Sequence, residues 1–144
     1  MAEIPASAQA LLGTDAVAHV WTQNPDGSPQ VSVVWVLVHG DEILFGTDGK
    51  SRKAKNLVRD PTILLSIEDT ERNERGFQRH LLIRGSASLE PTVSSAMVDQ
   101  LCRKYTGLSN HPLSLRDSPS AVTVRVSVDR ISGVGPWVTQ PAVA

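Results

Sequence analysis

The chain has 144 residues, of which 40% are hydrophobic and 20% charged, with a formal net charge of -1. That size suits one domain, residues 1–144, burying about two thirds of the surface its unfolded chain exposes. The near-zero charge argues against nucleic-acid binding, the single Cys102 excludes an internal disulfide or cysteine-rich metal site, and no window reaches the ~18 apolar residues of a membrane span.

Taken in chain order, Ser7 to Leu12 reads as a helical turn or two and Ala16 to Thr22 as a strand rich in β-formers. Before them the chain lacks the basic-then-apolar pattern of a signal peptide, so a cytoplasmic location is expected. Asn24-Pro25-Asp26-Gly27 is a hairpin signal, because Pro presets one turn dihedral and Gly supplies a positive φ. Gln30 to Val38 follows as one strand, apolar on both faces, as in a barrel wall with something packed outside it. His39-Gly40-Asp41 turns the chain into a strand over Glu42 to Thr47.

Lys50, Arg52, Lys53, Lys55 and Arg59 then concentrate five of the chain's 14 Lys and Arg in one short segment. Ser51 is a candidate N-cap, and Asp60-Pro61 ends the helix because a residue before proline is pushed out of the helical region. Two readings of the cluster stand: a solvated helix face, or a grip on a phosphate. Its position after a strand end and at a helix start favours the grip.

Thr62 to Glu68 reads as a strand and Asp69 to Gly76 as a charged loop. A strand from about Arg79 to Leu89 holds Gly85, where a bulge is expected. A helix from about Thr92 to Tyr105 places Val93, Met97, Val98, Leu101 and Tyr105 at helical spacing and is expected to cover a barrel opening. Thr106 to Ser120 reads as loop, Ala121 to about Ser132 as the last strand, and 132–144 as an irregular tail. About six strands joined by short turns argue for a small antiparallel barrel with peripheral helices.

Strand, Asn24-Pro25-Asp26-Gly27 turn, Pro29-to-Val36 strand, a strand ending in Thr47, then Lys53-Ala54-Lys55-Asn56-Leu57-Val58-Arg59-Asp60-Pro61: this succession resembles the pyridoxamine 5'-phosphate oxidase-like split-barrel flavoprotein family. The short length, the Lys53-to-Pro61 helix and the glycine-rich close are most similar to the small branch that uses the deazaflavin coenzyme F-420. The resemblance implies a mainly β fold, a six-stranded antiparallel split β-barrel with peripheral helices. It also implies a homodimer with two cofactor clefts, each lined by both chains.

By the same resemblance Thr47, Ser51, Arg52 and Lys53 would hold the cofactor phosphate. Gln30, Val31, Ser32, Val33 and Val34 would run under the ring, although Val31, Val33 and Val34 read equally well as barrel core. Gln78, His80 and Trp137 would reach the partner's cofactor; otherwise His80 is a surface residue and Trp137 pins a tail. Relatives in this branch often carry Arg at the place of Ser51, and relatives often carry an aromatic residue at the place of His80. Val31 to Val38 and Thr123 to Val128 are candidate interface walls.

The implied activity is hydride transfer from reduced F-420 to a small or planar unsaturated substrate. FMN is the alternative cofactor, and a non-catalytic flavin- or haem-binding protein the alternative role. No catalytic residue of the protein's own is implied, because the flavin carries the chemistry. No metal site is expected, since His19, His39, His80 and His111 lack ligand spacing. Neither Gly-x-Ser-x-Gly nor Gly-x-Gly-x-x-Gly occurs. Substrate contacts would come from Asp69 to Gly76 and from Thr106 to Ser120, where His111 lies.

Overall fold

Turn chemistry sets the strand junctions. After β1 (Ala18–Gln23), Gly27 N–H donates to Asn24 O at 2.9 Å with Gly27 at φ 87°, and β2 (Pro29–Val34) begins. Gly40, at φ 61°, joins β3 (Leu37–His39) to β4 (Glu42–Asp48). Around them lie α1 (Ala6–Leu12), α2 (Arg52–Arg59), β5 (Thr62–Arg72), β6 (Gln78–Glu90), α3 (Ser95–Thr106) and β7 (Ala121–Val134). The computed structural model describes residues 2–108 and 118–138.

All strand pairs are antiparallel, and the sheet runs β2-β1-β5-β6-β7-β4-β3. Its two edges, β2 and β3, are consecutive in the chain with only Trp35 and Val36 between them. The sheet therefore curls until its edges meet end to end, which is the split barrel. The described residues form seven strands rather than about six, because the expected Gln30-to-Val38 strand breaks as it leaves one edge for the other.

Alternate residues fill the interior: Ala18 and Val20, Ile43 and Phe45, Ile63, Leu65 and Ile67, Leu81 and Ile83, and Val124, Val126 and Val128. Ile4, Ala8, Leu11 and Leu12 from the α1 region and Leu57 from α2 join this core. The expected bulge falls at Gly85, where pairing shifts from Arg84↔Arg130 to Gly85↔Val128. A Cβ at Gly85 would stand 2.4 Å from Ser127 O, so only glycine fits this approach.

Three expected boundaries move. β5 extends to Arg72, inside the Asp69-to-Gly76 segment, β6 begins at Gln78 to complete a long hairpin, and β7 continues through Val134, opposite His80. The irregular tail thus starts later than residue 132. Nor does α3 plug a barrel mouth. Its buried Met97, Val98, Leu101 and Cys102 lie outside the central core, and Thr123 on the β7 wall donates to Thr92 O at 2.6 Å and contacts Met97. His111 lies outside the described residues.

Candidate functional site

The basic segment folds as expected. Ser51 caps α2, its Oγ accepting from Ala54 N–H at 3.2 Å. The turn before it is tied down by Lys50 N–H donating to Asp48 Oδ1 at 2.8 Å and Gly49 N–H to Ser120 O at 2.7 Å. Thr47, buried at the end of β4, lies 3.3 Å from Ser51, hydroxyl to hydroxyl. Lys53 is half-buried and, among the described residues, has no carboxylate partner; desolvation pushes its pKa down. Arg52 stands exposed beside it.

This corner pairs a desolvated cation with two hydroxyls at a helix start, the donor set a phosphate needs. Arg59 does not join it. Its guanidinium donates to Asn56 Oδ1 at 3.2 Å and to Gln23 O, fastening the helix to the end of β1.

β2 is an edge of the sheet. Among the described residues that strand pairs only with β1, and β4 pairs with β3 only at Glu42 to Leu44, so Phe45 to Asp48 also leave an edge unpaired. The split between these edges offers backbone N–H and C=O groups to a polar ring edge. Along β2, Gln30, Ser32 and Val34 lie opposite Thr22, Val20 and Ala18, which face the interior; Val31 and Val33 lie on the other face, 60% and 55% exposed. Among the described residues Ser32 Oγ is buried without a hydrogen-bond partner. Such a donor and the unpaired Lys53 both fit a polar, phosphate-bearing ligand.

Gln78, His80 and Trp137 come together elsewhere. Trp137 is 2% exposed and its Nε1–H donates to His80 O at 3.1 Å. His80 Nδ1 lies 2.9 Å from Gln78 O, and Gln78 Nε2 donates to Glu71 O at 3.1 Å. Arg79, paired with Asp69 and Glu71, lies 5.4 Å over the Trp137 ring. Within one chain this group is far from the α2 corner. Thr47 pairs with Val122 near the start of β7 and His80 with Val134 at its end, a contour of about 40 Å.

Two features went unread in the sequence. One is a buried polar network around Asn56, whose only signal is an Asn beside Leu57 and near Ala54 on the inward face of α2. The other is an outward groove of about 360 Å³ across β1, β2, β5 and β6, floored by Trp21, Val31, Leu64 and Leu82. Arg84 and Arg130 face each other across the sheet at its rim. Among the described residues no three His, Cys, Asp or Glu side chains gather to hold a metal ion, and no helix is long and apolar enough to cross a membrane.

Comparison with known proteins agrees with this architecture. A solved structure described as an F420 reductase is 25% identical, with 90% of this chain and 98% of that one covered and a TM-score of 0.75. A conserved hypothetical protein from Mycobacterium tuberculosis is 24% identical, with coverage of 100% and 91% and a TM-score of 0.69. HutZ, the haem storage protein from Vibrio cholerae, shares the fold at 14% identity, coverage of 92% and 95%, and a TM-score of 0.68. No curated protein sequence matches the chain. A family model described as pyridoxamine 5'-phosphate oxidase matches residues 4–135, and the chain belongs to that family.

Proposed function

We propose that the protein is an oxidoreductase that binds the deazaflavin coenzyme F-420 in the barrel's split and serves hydride transfer to a small or planar unsaturated substrate. The observation that carries this reading is the α2 corner, where half-buried Lys53 has no carboxylate partner among the described residues and follows the paired hydroxyls of Thr47 and Ser51 at the helix start. The likeness to an F420 reductase over 90% of the chain favours the deazaflavin over FMN. The bound deazaflavin would supply the hydride. Lys53, Ser51 and Thr47 would hold its phosphate, and the free edge of β2 would meet the polar side of its ring.

The same reading makes the protein a homodimer. Val31 and Val33 are more than half exposed, and a groove lined by Trp21, Leu64 and Leu82 continues their face. An open apolar surface of this kind favours a partner. A two-fold axis would also bring Gln78, His80 and Trp137 of one copy toward the α2 corner of the other, which one chain does not do.

Titrating the purified protein with F-420 and following its fluorescence tests the cofactor. Saturable binding at micromolar or lower concentration is expected. No binding, together with FMN retained through purification, would overturn the deazaflavin in favour of FMN in the same cleft.

A further inference from the structure

Asn56 is a fully buried polar side chain, 0% exposed, on the helix that carries the proposed phosphate grip. Both of its amide hydrogens are used: Nδ2 donates to Thr22 Oγ1 at 3.1 Å and to Asn24 Oδ1 at 3.0 Å. Its Oδ1 accepts from Arg59 at 3.2 Å. Thr22, itself buried, passes its own hydrogen to Gln30 Oε1 at 3.4 Å, across the β1–β2 ladder. The network therefore begins one helical turn after Lys53 and ends on β2, the strand whose free edge forms the other wall of the split.

We infer that Asn56 is a positioning residue that fixes the spacing between the phosphate grip of α2 and the ring-binding edge of β2. This rests on the phosphate reading of the α2 corner given above.

The physics of a short helix supports it. A helix of 8 residues has little stability of its own and takes its place from tertiary contacts. The buried Ala54 and Leu57 set how deeply α2 sits, but apolar contact is non-directional and leaves rotation and sliding loosely defined. Hydrogen bonds are directional. Two of them run from Asn56 off the helix to Thr22 and Asn24, a third from Arg59 holds the amide in place, and Lys53 at i−3 shares its side of the helix. If the amide is lost, the bonds to Thr22 and Asn24 go and Arg59 loses the acceptor that holds it toward Gln23 O, so α2 can rotate and the Lys53 ammonium leaves the phosphate position while the ring edge on β2 stays.

The experiment measures affinity for F-420 and for its phosphate-free deazaflavin chromophore in wild type, Asn56→Ala, Thr22→Val, Lys53→Ala and the Asn56→Ala/Lys53→Ala double variant. We expect Asn56→Ala and Thr22→Val to weaken F-420 binding about tenfold and the phosphate-free form less than about threefold, with the double variant close to Lys53→Ala alone, the non-additivity of coupled residues. Equal weakening of both ligands, or additive losses, would overturn the positioning role while leaving the phosphate grip intact. If Lys53→Ala itself changes nothing, the phosphate reading falls and takes the positioning role with it. Thr22→Val keeps the side-chain shape and guards against an unfolded Asn56 variant. Failure of both to fold would assign the network to stability alone and overturn the inference.

Discussion

Trp35 lies flat against Tyr105, their ring centroids 5.0 Å apart and their planes 4° from parallel. The stack marks the seam of the barrel, where the chain leaves edge strand β2 for edge strand β3. No ladder is available to Val36 there, and the last turn of α3 substitutes for one. Val36 N–H donates to the Tyr105 hydroxyl at 3.1 Å, and that hydroxyl donates to Ala16 O at 2.8 Å. The Lys104 ammonium donates to Val36 O at 2.5 Å and to Leu12 O, and it lies 4.9 Å over the Tyr105 ring. A buried backbone group must find a partner, so α3 is what allows the sheet to close.

Tyr105→Phe should therefore destabilise the fold. Phenylalanine keeps the stack on Trp35 but leaves Val36 N–H and Ala16 O without their partner, at a cost of about 1–3 kcal/mol. Urea unfolding of both proteins measures it. An unchanged midpoint would show that the seam does not depend on the hydroxyl.

Lys104 should make stability depend on pH. Burial pushes its pKa down to about 8, against the opposing pull of Asp15. A lysine whose folded pKa lies below its ordinary value of about 10.4 binds more proton in the unfolded chain through the interval between them, so stability rises with pH there. Tyr105 acts oppositely, because burial raises its pKa and its unfolded form ionises first near pH 10. The rise should thus be seen from about pH 8 to 9.5, just below that range. Urea midpoints should climb across the interval in wild type and stay flatter in Lys104→Met; equal slopes would refute the assignment.

What the sequence disclosed and what it hid divide along contact distance. The Ser51 cap, the Asp60 stop and the Gly27 turn are local, decided by residues within a few positions, and all are present. The Gly85 bulge was also legible, since an isolated glycine in a strand has few other uses. The break at Trp35-Val36 was not. Its cause is a helix 68 and 69 residues away whose Lys104 and Tyr105 take over the Val36 backbone, and the alternation of Val31 to Val38 runs through it unchanged. The site divides the same way. The α2 corner is one contiguous segment, whereas Asn56 gains its meaning only from Thr22 and Asn24, at separations of 34 and 32 residues. Likewise Trp137 meets His80 across 57 residues of chain, a contact that no local pattern announces.

Gly133→Ala should loosen the close of the sheet. Gly133 has φ 108°, and a Cβ there would stand 2.2 Å from His80 O, the same carbonyl that accepts from Trp137. Strain at such a position costs about 1–3 kcal/mol. A lower melting temperature with a red-shifted, more exposed tryptophan emission is expected. Wild-type emission and melting would refute it.

Val33→Lys should test the two-fold face. The 55% exposed valine lies on the same side as Val31 and the apolar groove, and a charge at the centre of an apolar interface opposes association. Light scattering should give about twice the 15.5 kDa chain mass for wild type, as closed two-fold dimers require, and the monomer mass for the variant. A monomeric wild type would remove the dimer.

Lys53→Ala should weaken cofactor binding by about 1.5–3 kcal/mol, the scale of a charged hydrogen bond, without unfolding the domain, because the side chain forms no ion pair among the described residues. The pH dependence sharpens the test. Desolvation lowers the Lys53 pKa, and only the protonated amine attracts phosphate. Affinity should therefore be full below that lowered pKa and fall as pH rises through it. Lys53→Arg, which stays charged throughout, should bind with a flatter profile even if its geometry weakens binding overall. Affinities measured from pH 6 to 10 for the three proteins decide the matter. A wild-type profile as flat as that of Lys53→Arg, with Lys53→Ala unchanged in affinity, would remove Lys53 from the phosphate site.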